Sequence, residues 1–446
     1  MISTNGSEGG SVACSLAAAG GGSGGSIFIT TSTLTGTGSV TAHGGAGGVG
    51  GCFPTVGDDG GGGAGGRIAV LYAHDGGFAG FTAPSVSGGI GGGRAAPPGT
   101  AVFLNTETNA LRISQHLDFA PDSVVHFGAV TVDNQATLVL GGGVQLTVDD
   151  DFDVTQGATL FIEGKQRDGQ INGQWSGAGA MITAGNMRID AESRISANEQ
   201  GYLAGLGPGA SAWDGVNTAG GAGYGGVGGS GNGPNAGGLT YGEASAPVDL
   251  GSGGGLAHSA AGIGGGAVAL YTDTLLLDGV IVANGGNGVS VGCSLAAPGG
   301  GSGGSILIVT RVLTGDGSLH ADGGAGGEGG CTGGGDDGGG GGGGRIAVHY
   351  TVDDGFAGVT TSSVNGGAGG AGRSGAPGTL LFIGCLGDCN GDERVTVDEL
   401  VRMVNVALGT INVRACLAGD GDHNRAIVVN KIVGAVNNAL SGCGAR

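Results

Sequence analysis

Glycine-rich stretches dominate this chain, in which 114 of the 446 residues are glycine. Such a chain has little side-chain surface to bury, and its 11 Phe, 6 Tyr and 2 Trp residues cannot form large aromatic layers. Collagen is excluded, because its triple helix needs an unbroken Gly-X-Y period rich in proline and this chain has 10 prolines. The fold must therefore bury its surface in some other repetitive way.

The charge of the chain excludes two classes of partner. Its net charge is -20 and its isoelectric point is about 4.5. Nucleic acids and anionic lipid surfaces attract basic faces, so neither is expected to bind.

No apolar run approaches the roughly 18 residues that a membrane-spanning helix needs. We therefore predict no nucleic-acid partner and no membrane insertion.

Two segments of the chain are near copies of each other. Residues 11–52 repeat at 290–331, and residues 66–80 repeat at 344–358. In this alignment Ile2 falls on Ile281, so Met1 takes the place of Val280 inside the phrase "LLLDGVIVANGG". We expect the N-terminus to be incomplete or misassigned. The missing signal peptide then says little about location, and sequencing upstream of the start tests this.

Cysteines occur at equivalent places in the two copies. Cys14 and Cys52 are 38 residues apart, as are Cys293 and Cys331. This duplicated spacing predicts two disulfides, each of which would stabilise the fold by roughly 4 kcal/mol. Four buried free thiols are the alternative, but the surroundings are not apolar and no zinc-type spacing is present. Disulfides indicate an oxidising compartment, outside the cell or on its surface.

Short β-rich runs recur between glycines, at 26–30, 67–72, 267–271, 305–309 and 345–350. A second phrase precedes each glycine-rich excursion: an apolar residue, any residue, Ala or Thr, then Asn, His or Asp. It begins at Ile2, Val40, Ile195, Ile281 and Leu319. The phrases "ATLVLGGG" at 136 and "ATLFIEGK" at 158 stand 22 residues apart, the length of one solenoid turn. These periods predict stacked rungs.

The region from 1 to 384 resembles right-handed parallel β-helix proteins of the pectin-lyase-like type. The predicted fold class is mainly β, a right-handed parallel β-helix or solenoid with glycine-rich excursions, followed by a small all-α C-terminal module. A β-sandwich is the alternative. The excursions have a local period of three, as in "GGAGGVGG" at 44–51, which indicates extended threefold helices lying side by side. Flexible coil is the other interpretation.

The C-terminal segment begins with the oxygen spacing of a calcium loop. The ligand positions 1, 3, 5, 7, 9 and 12 are Asp388, Asn390, Asp392, Arg394 through its carbonyl, Thr396 and Glu399. Thr396 and Glu399 also form a capping box for the following helix. The apolar stripe predicted for that helix ends at Gly409 and comprises Val397, Leu400, Val401, Val404, Ala407 and Leu408.

A second loop repeats this plan. Asp420, Asp422 and Asn424 occupy its positions 1, 3 and 5, and its helix carries the stripe Val429, Ile432, Val433, Val436, Ala439 and Leu440. Position 12 is Lys431, whose ammonium would repel Ca²⁺, and position 9 is Val428. Position 6, usually glycine, is Glu393 in the first loop and Arg425 in the second. We predict one strong Ca²⁺ site, one weak or absent site, and two halves that pack as a pair.

Residues 385–443 resemble a type I dockerin, a doubled calcium loop and helix. The resemblance implies a cohesin-like partner, contacted through positions 10 and 11. These positions are Val397 and Asp398 in the first loop, and Val429 and Asn430 in the second. Four cysteines flank the loops and allow three connectivities, among which we expect Cys443 to close onto the start of the module; they are Cys385, Cys389, Cys416 and Cys443.

The predicted domains are a first glycine-rich solenoid copy at 1–110, further rungs at 111–185, the second copy at 186–384 and the dockerin-like module at 385–446. No catalytic residue is predicted. The one dense acidic group is expected to be a turn of solvated acids, with Lys165 and Arg167 nearly a rung away. It comprises Asp149, Asp150, Asp151 and Asp153. Paired acids in both copies would cap glycine amides or bind a cation; they are Asp58, Asp59, Asp336 and Asp337.

The sequence is compatible with two functions. The first is a secreted, noncatalytic surface or scaffold-associated protein that docks to a cohesin-like partner through its calcium-dependent module. The second is a polysaccharide lyase or glycoside hydrolase built on the β-helix and delivered by the module, with polysaccharide as its partner; fold analogy alone supports it. The first function is the one we expect.

Overall fold

The computed structural model describes residues 1–12, 17–50, 59–82, 84–92, 94–232, 235–292, 295–329, 337–370, 373–421 and 425–443. It forms two compact units. The first comprises Met1–Asp118, His126–Val139 and Val148–Leu160, and the second comprises Phe119–Val125, Leu140–Thr147 and Phe161–Arg446. The predicted bonds Cys14–Cys52 and Cys293–Cys331 lie outside the described residues.

Short strands account for most of the regular structure before residue 384. Those up to residue 113 are β1 Ile2–Ser3, β2 Ser26–Gly36, β3 Val40–Thr41, β4 Arg67–Phe78, β5 Ile90–Gly91, β6 Arg94–Ala95, β7 Thr100–Asn105 and β8 Ala110–Ile113. From 116 to 162, where residues of the two units alternate along the chain, they are β9 His116–Phe119, β10 Val124–Phe127, β11 Ala129–Val132, β12 Thr137–Leu140, β13 Gln145–Val154 and β14 Thr159–Ile162.

The remaining strands belong to the second unit. They are β15 Ala180–Ile189, β16 Arg194–Ser196, β17 Ala267–Leu277, β18 Val280–Val282, β19 Ser305–Thr314, β20 Ser318–His320, β21 Arg345–His349, β22 Val352–Asp353 and β23 Thr379–Ile383. The β-rich runs predicted from sequence all fall within strands, in β2, β4, β17 and β19, and in β21 except for Tyr350 just after it.

Parallel pairing between successive rungs organises the first unit. Strand β2 pairs with β4 and β4 with β7, all in parallel. Strand β7 then turns back and pairs with β8 antiparallel, and β8 pairs with β11 in parallel. Between β11 and β13 the register places Val130 opposite Phe152, so one turn is 22 residues long, as predicted from the repeated phrase.

The second unit has the same plan. Strands β15, β17, β19, β21 and β23 form one parallel ladder, and β16, β18 and β20 form another. The register places Val268 opposite Ile306 and Ile306 opposite Ile346, so that equivalent apolar side chains stack from rung to rung. All three are buried. Parallel ladders of this kind fit a solenoid, whereas the strands of a β-sandwich are antiparallel.

The recurring polar residue before each excursion has a structural role. The Asn198 side chain accepts the backbone N–H of Asn284 at 2.8 Å, and the Asn284 side chain accepts that of Asp322 at 2.7 Å. Asp322 in turn accepts the N–H of Asn365 at 2.6 Å. In the first unit Asn5 accepts the N–H of His43 at 2.9 Å. The phrase therefore supplies a ladder of side chains that links one rung to the next.

The excursions are also hydrogen-bonded to one another. Gly60, Gly63 and Gly66 donate to the carbonyls of Gly48, Gly45 and Ala42, at 2.9, 2.9 and 2.7 Å. Donors and acceptors both advance by three residues, and the acceptor numbers fall as the donor numbers rise. Antiparallel threefold helices lying side by side would give this pattern. In the second unit Gly324 donates to Gly301, and Gly341 to Gly324, both at 2.8 Å. This pattern agrees with the ordered interpretation of the excursions rather than with flexible coil.

Glycine is needed where these segments touch. A Cβ atom at Gly63 would lie 2.1 Å from the carbonyl oxygen of Gly22, and one at Gly324 would lie 1.9 Å from that of Gly286. Separations this short are overlaps rather than contacts, so any side chain would push the neighbouring segment away. The high glycine content is thus a packing requirement of the excursions.

The chain ends in a helical module within the second unit. Helix α1 spans Val397–Ala407 and helix α2 spans Val429–Ser441, and a 3-10 segment at Val413–Gly419 lies between them. The residue after the C-cap of α1 is Gly409, whose φ of +70° is the left-handed conformation that commonly ends helices. This is the helix end predicted from the sequence.

Candidate metal centre and helix surface of the C-terminal module

Two disulfides hold the C-terminal module together. Cys385 is bonded to Cys443, 58 residues away, and Cys389 is bonded to Cys416, 27 residues away. The first bond joins the end of the module to its start, as expected for Cys443. Around the bonds lies a small apolar core that contains Val395, Met403, Ile427 and Ala435. Cross-links of this kind restrict the unfolded chain and so allow a module with a small core to fold.

Three acidic side chains of the first loop converge. Carboxylate oxygens of Asp388, Asp392 and Glu399 all lie within 4.8 Å of one another. Asp388 is 1% exposed and Glu399 is 3% exposed, whereas Asp392 faces solvent. Carboxylates this close repel each other unless a positive charge lies between them. Because hard oxygen donors at this spacing are what Ca²⁺ prefers, the donor set fits that ion.

Asp388 also shapes the backbone of the first loop. Its Oδ1 accepts the N–H of Gly391 at 2.7 Å and that of Asp392 at 3.2 Å, and its Oδ2 accepts the N–H of Glu393 at 2.9 Å. Burial raises the pKa of the Asp388 carboxyl, and the N–H donors oppose that rise. Each carboxylate oxygen has two lone pairs, so these bonds leave Asp388 able to face a cation.

Glu399 couples the loop to the start of α1. Its Oε1 accepts the N–H of Cys389 at 2.9 Å, and its Oε2 accepts the N–H of Thr396 at 2.7 Å. The Thr396 hydroxyl lies 2.9 Å from the same Oε2. The predicted capping box is present at this helix start. Glu399 therefore lies in the acidic cluster and fixes the first turn of the helix at the same time.

The other predicted ligands of the first loop line its backbone turns. Asn390 Oδ1 accepts the N–H of Asp392 at 3.0 Å, and the N–H of Arg394 donates to Asp392 Oδ1 at 3.0 Å. Glu393 at position 6 has a φ of +63°, the left-handed region that usually requires glycine. The loop thus keeps the calcium-loop turn although its residue at that place is not glycine.

The second loop differs from the first. Asp420, at its position 1, is 3% exposed and forms an ion pair with the buried Lys431 at position 12. The predicted ligands Asp422 and Asn424 lie outside the described residues. Positions 1 and 12 therefore carry opposite charges here, whereas in the first loop both are carboxylates.

Both helices expose the greater part of the apolar stripe predicted for them. Of the stripe residues, Leu400 and Ile432 pack against the module core. The remaining large side chains of the stripe are exposed; they are Val397, Val401, Val404, Leu408, Val429, Val433, Val436 and Leu440. Helices α1 and α2 pack as a pair, as predicted, and the fully buried Met403 and Ala435 belong to the core that they share. The predicted stripes are therefore largely exposed, and the pairing of the two helices does not depend on them.

The loop explains which helix face is buried. Glu399 must point inward to reach the cluster, and residues four and seven positions later share its face. Met403 is accordingly fully buried and Val406 packs against the core. Lys431 and Ala435 have the same spacing in α2, and both are buried. The inward position-12 residue was the sequence signal that could have placed the stripe on the outside.

The acids considered for catalysis have other surroundings. Residues 149–151 and 153 lie in strand β13 and not in a turn, which corrects the prediction. Asp149 pairs with His126 Nε2 at 2.8 Å. Lys165 pairs with Asp122, and Arg167 donates to the Gly201 carbonyl at 2.6 Å.

The paired acids of the two copies act on glycine amides. Asp59 accepts the N–H of Gly50 at 2.9 Å, and Asp337 accepts that of Gly329 at 2.7 Å. This is the capping role predicted for them. Their neighbours Asp58 and Asp336 lie outside the described residues.

Comparison with protein families, with characterised proteins and with solved structures finds no match to this chain. Among the residues that the structure describes, no helix is both long enough and apolar enough to cross a membrane.

Proposed function

We propose that this chain is a secreted, noncatalytic surface or scaffold-associated protein whose C-terminal module docks to a cohesin-like partner when Ca²⁺ is bound. The observation that carries the proposal is the convergence of Asp388, Asp392 and Glu399. Helices α1 and α2, which follow the two loops, expose apolar side chains on their surface. The dockerin-like pattern of residues 385–443 supports the same conclusion.

The first loop would hold the ion through the side chains of Asp388, Asn390, Asp392 and Glu399, with Thr396 and the Arg394 carbonyl as the other expected donors. Ca²⁺ bound there would neutralise the repulsion among the three carboxylates. Since Glu399 also caps α1, the residues that accept the ion fix the direction in which that helix starts. Calcium occupancy is thereby coupled to the orientation of α1.

The helix surface supplies the docking face. Val397, Val401 and Leu408 are 73%, 53% and 71% exposed on α1, and Val429, Val433 and Leu440 are 75%, 54% and 83% exposed on α2. Repeated exposure of large apolar residues at corresponding places of two helices marks a surface for association with another protein. Val397 and Val429 are the position-10 residues that the dockerin resemblance assigns to the partner contact.

The disulfides support the proposed extracytoplasmic location, because such bonds persist in oxidising compartments. The solenoid would then present an extended surface outside the cell while the module attaches it. A polysaccharide ligand of the solenoid is part of this proposal as a binding partner rather than as a substrate.

Calcium titration of the full chain by calorimetry tests the metal site. One strong site is expected in the natural chain, and it should be lost in Asp388→Ala combined with Asp392→Ala. Purified cohesin domains immobilised on a sensor surface should then retain the chain with Ca²⁺ and release it with a chelator. Retention that is equal in chelator would contradict calcium-dependent docking, and release of reducing sugars from a polysaccharide panel would contradict the noncatalytic role.

A further inference from the structure

The Lys431 ammonium contacts two described residues of the second loop. It donates to the carboxylate of Asp420 at position 1 and to the carbonyl of Ala426 at position 7. The Lys431 and Asp420 side chains are 6% and 4% exposed. Positions 1 and 7 are two of those whose oxygens hold the ion in a calcium loop of this type.

We propose that the Lys431 ammonium replaces the metal ion in the second loop, so that this loop is closed without calcium and serves to anchor the module on the solenoid. A buried ammonium provides the positive charge that the Asp420 carboxylate requires in the interior. Lys431 also stands at position 12, so the residue that would have been a ligand now supplies the charge itself.

The anchoring half of the proposal depends on Arg425 at position 6. Its guanidinium lies 5.1 Å from the ring centroid of Tyr271 in β17, and its Nη2 lies 3.4 Å from the Thr183 hydroxyl in β15. A guanidinium stacked on an aromatic ring is a favourable cation–π contact. The second loop thus places a cationic side chain on strands of the solenoid.

Apolar packing surrounds this contact. Leu417, in the segment just before the second loop, is 5% exposed and belongs to one buried cluster with Tyr271, Leu307 and Val309. The Thr351 hydroxyl lies 3.2 Å from the Gly421 carbonyl. Two kinds of contact, apolar and polar, therefore fix the second half of the module to the strands of the same unit.

The backbone at position 6 is left-handed in both loops, but the side chains there differ in their contacts. Arg425 has a φ of +65°, a conformation that disfavours side chains other than glycine. Glu393 has the same backbone conformation at position 6 of the first loop, so the feature that distinguishes Arg425 is its contact with Tyr271. The second loop departs from the calcium-loop pattern at three positions, and two of these residues, Lys431 and Arg425, make contacts that account for them.

Calorimetric titration of the full chain with Ca²⁺ tests the ammonium. The natural chain should bind one ion and Lys431→Glu should bind two, because the substitution removes the ammonium and restores the carboxylate. Lys431→Gln is the control, and it should remain at one. Two ions in the natural chain, or no additional ion in Lys431→Glu with natural helix content, would overturn the proposal. A third outcome is that the natural chain binds no Ca²⁺ and Lys431→Glu binds one ion. That outcome would support the role of the ammonium and would contradict the proposed calcium-dependent docking.

Hydrogen exchange on the natural chain gives a test that needs no variant. After chelation, amides of residues 388–399 should exchange at least tenfold faster, whereas those of 413–421 and of β17 should keep their protection. Equal loss of protection in both halves would overturn the calcium-independent anchor.

Arg425→Gly tests the contact with the solenoid. It removes the guanidinium but suits the left-handed backbone, so the loop itself should be retained. Exchange at Tyr271 and at 413–421 should rise severalfold, and Glu393→Gly, at the same position of the first loop, should leave both segments unchanged. Unchanged exchange in Arg425→Gly would contradict the anchoring role.

Discussion

The side chain of Asn284 accepts the backbone N–H of Asp322, which stands 38 residues later at the equivalent place of the next rung, at 2.7 Å. Asn284 is itself linked to the previous rung, because its own N–H donates to Asn198. Hydrogen bonds of this kind supplement the strand ladders at the point where each rung leaves the sheet and enters an excursion.

Asn284→Ala should therefore weaken the link between its rung and the next one, whereas the bond to Asn198 remains because alanine keeps the backbone N–H. The N–H of Asp322 loses its acceptor, at a cost of about 1 kcal/mol in local opening free energy. Amide hydrogen exchange of strands β18 and β20 measures this change. Asn365→Ala is the matched control, because Asn365 enters the ladder through its backbone N–H. Equal effects of the two substitutions would show that the side-chain ladder contributes little.

Gly63→Ala should disrupt the packing of the excursions in the first unit. The added methyl group would overlap the Gly22 carbonyl, and the forced separation should cost about 1–3 kcal/mol. Gly61→Ala is the control two residues away, since a Cβ there meets nothing within 4 Å and the site is exposed. Thermal unfolding of the two variants should differ by several degrees, and coincident transitions would contradict tight packing at Gly63.

The sequence predicted the repetitive parts of the fold because its periods are local. The runs at 26–30 and 305–309 are β-rich and bounded by glycine as strands usually are, and the 22-residue repeat between 136 and 158 matches the rung length found between β11 and β13. The period of three in the glycine stretches likewise corresponds to a hydrogen-bonding step of three. Each of these signals depends on residues close together in the chain.

Features that depend on distant residues could not be predicted in the same way. The contact between Arg425 and Tyr271 joins residues far apart in sequence, and no local period encodes it. The sequence did not show which face of α1 is buried, because Val401 and Met403 are both apolar and apolarity alone does not fix how a helix is rotated. The inward position of Glu399 fixes that rotation, since Met403 follows it by one turn.

Glu399→Gln should weaken calcium binding in the first loop. It keeps the size of the side chain and removes one of three converging charges, so the affinity should fall about tenfold or more, equivalent to about 1.4 kcal/mol. Asp398→Asn removes a neighbouring acid that lies outside the cluster, and it should change the affinity much less. Calorimetric titration of the full chain compares them. Matching affinities in the two variants would remove Glu399 from the set of ligands.

Val401→Asp combined with Val433→Asp should abolish docking while the module stays folded. Both side chains are more than half exposed, so their replacement leaves the core around Met403 intact. A carboxylate in the centre of an apolar interface loses its hydration on binding, and the association constant should fall about a hundredfold or more. Arg402→Asp, next to Val401 and also exposed, is the control for added charge. Helix content and calcium stoichiometry should match the natural chain in every variant. Retention on immobilised cohesin domains should fall in the double variant far more than in the control. If the two variants bind equally well, the exposed stripes are not the docking face.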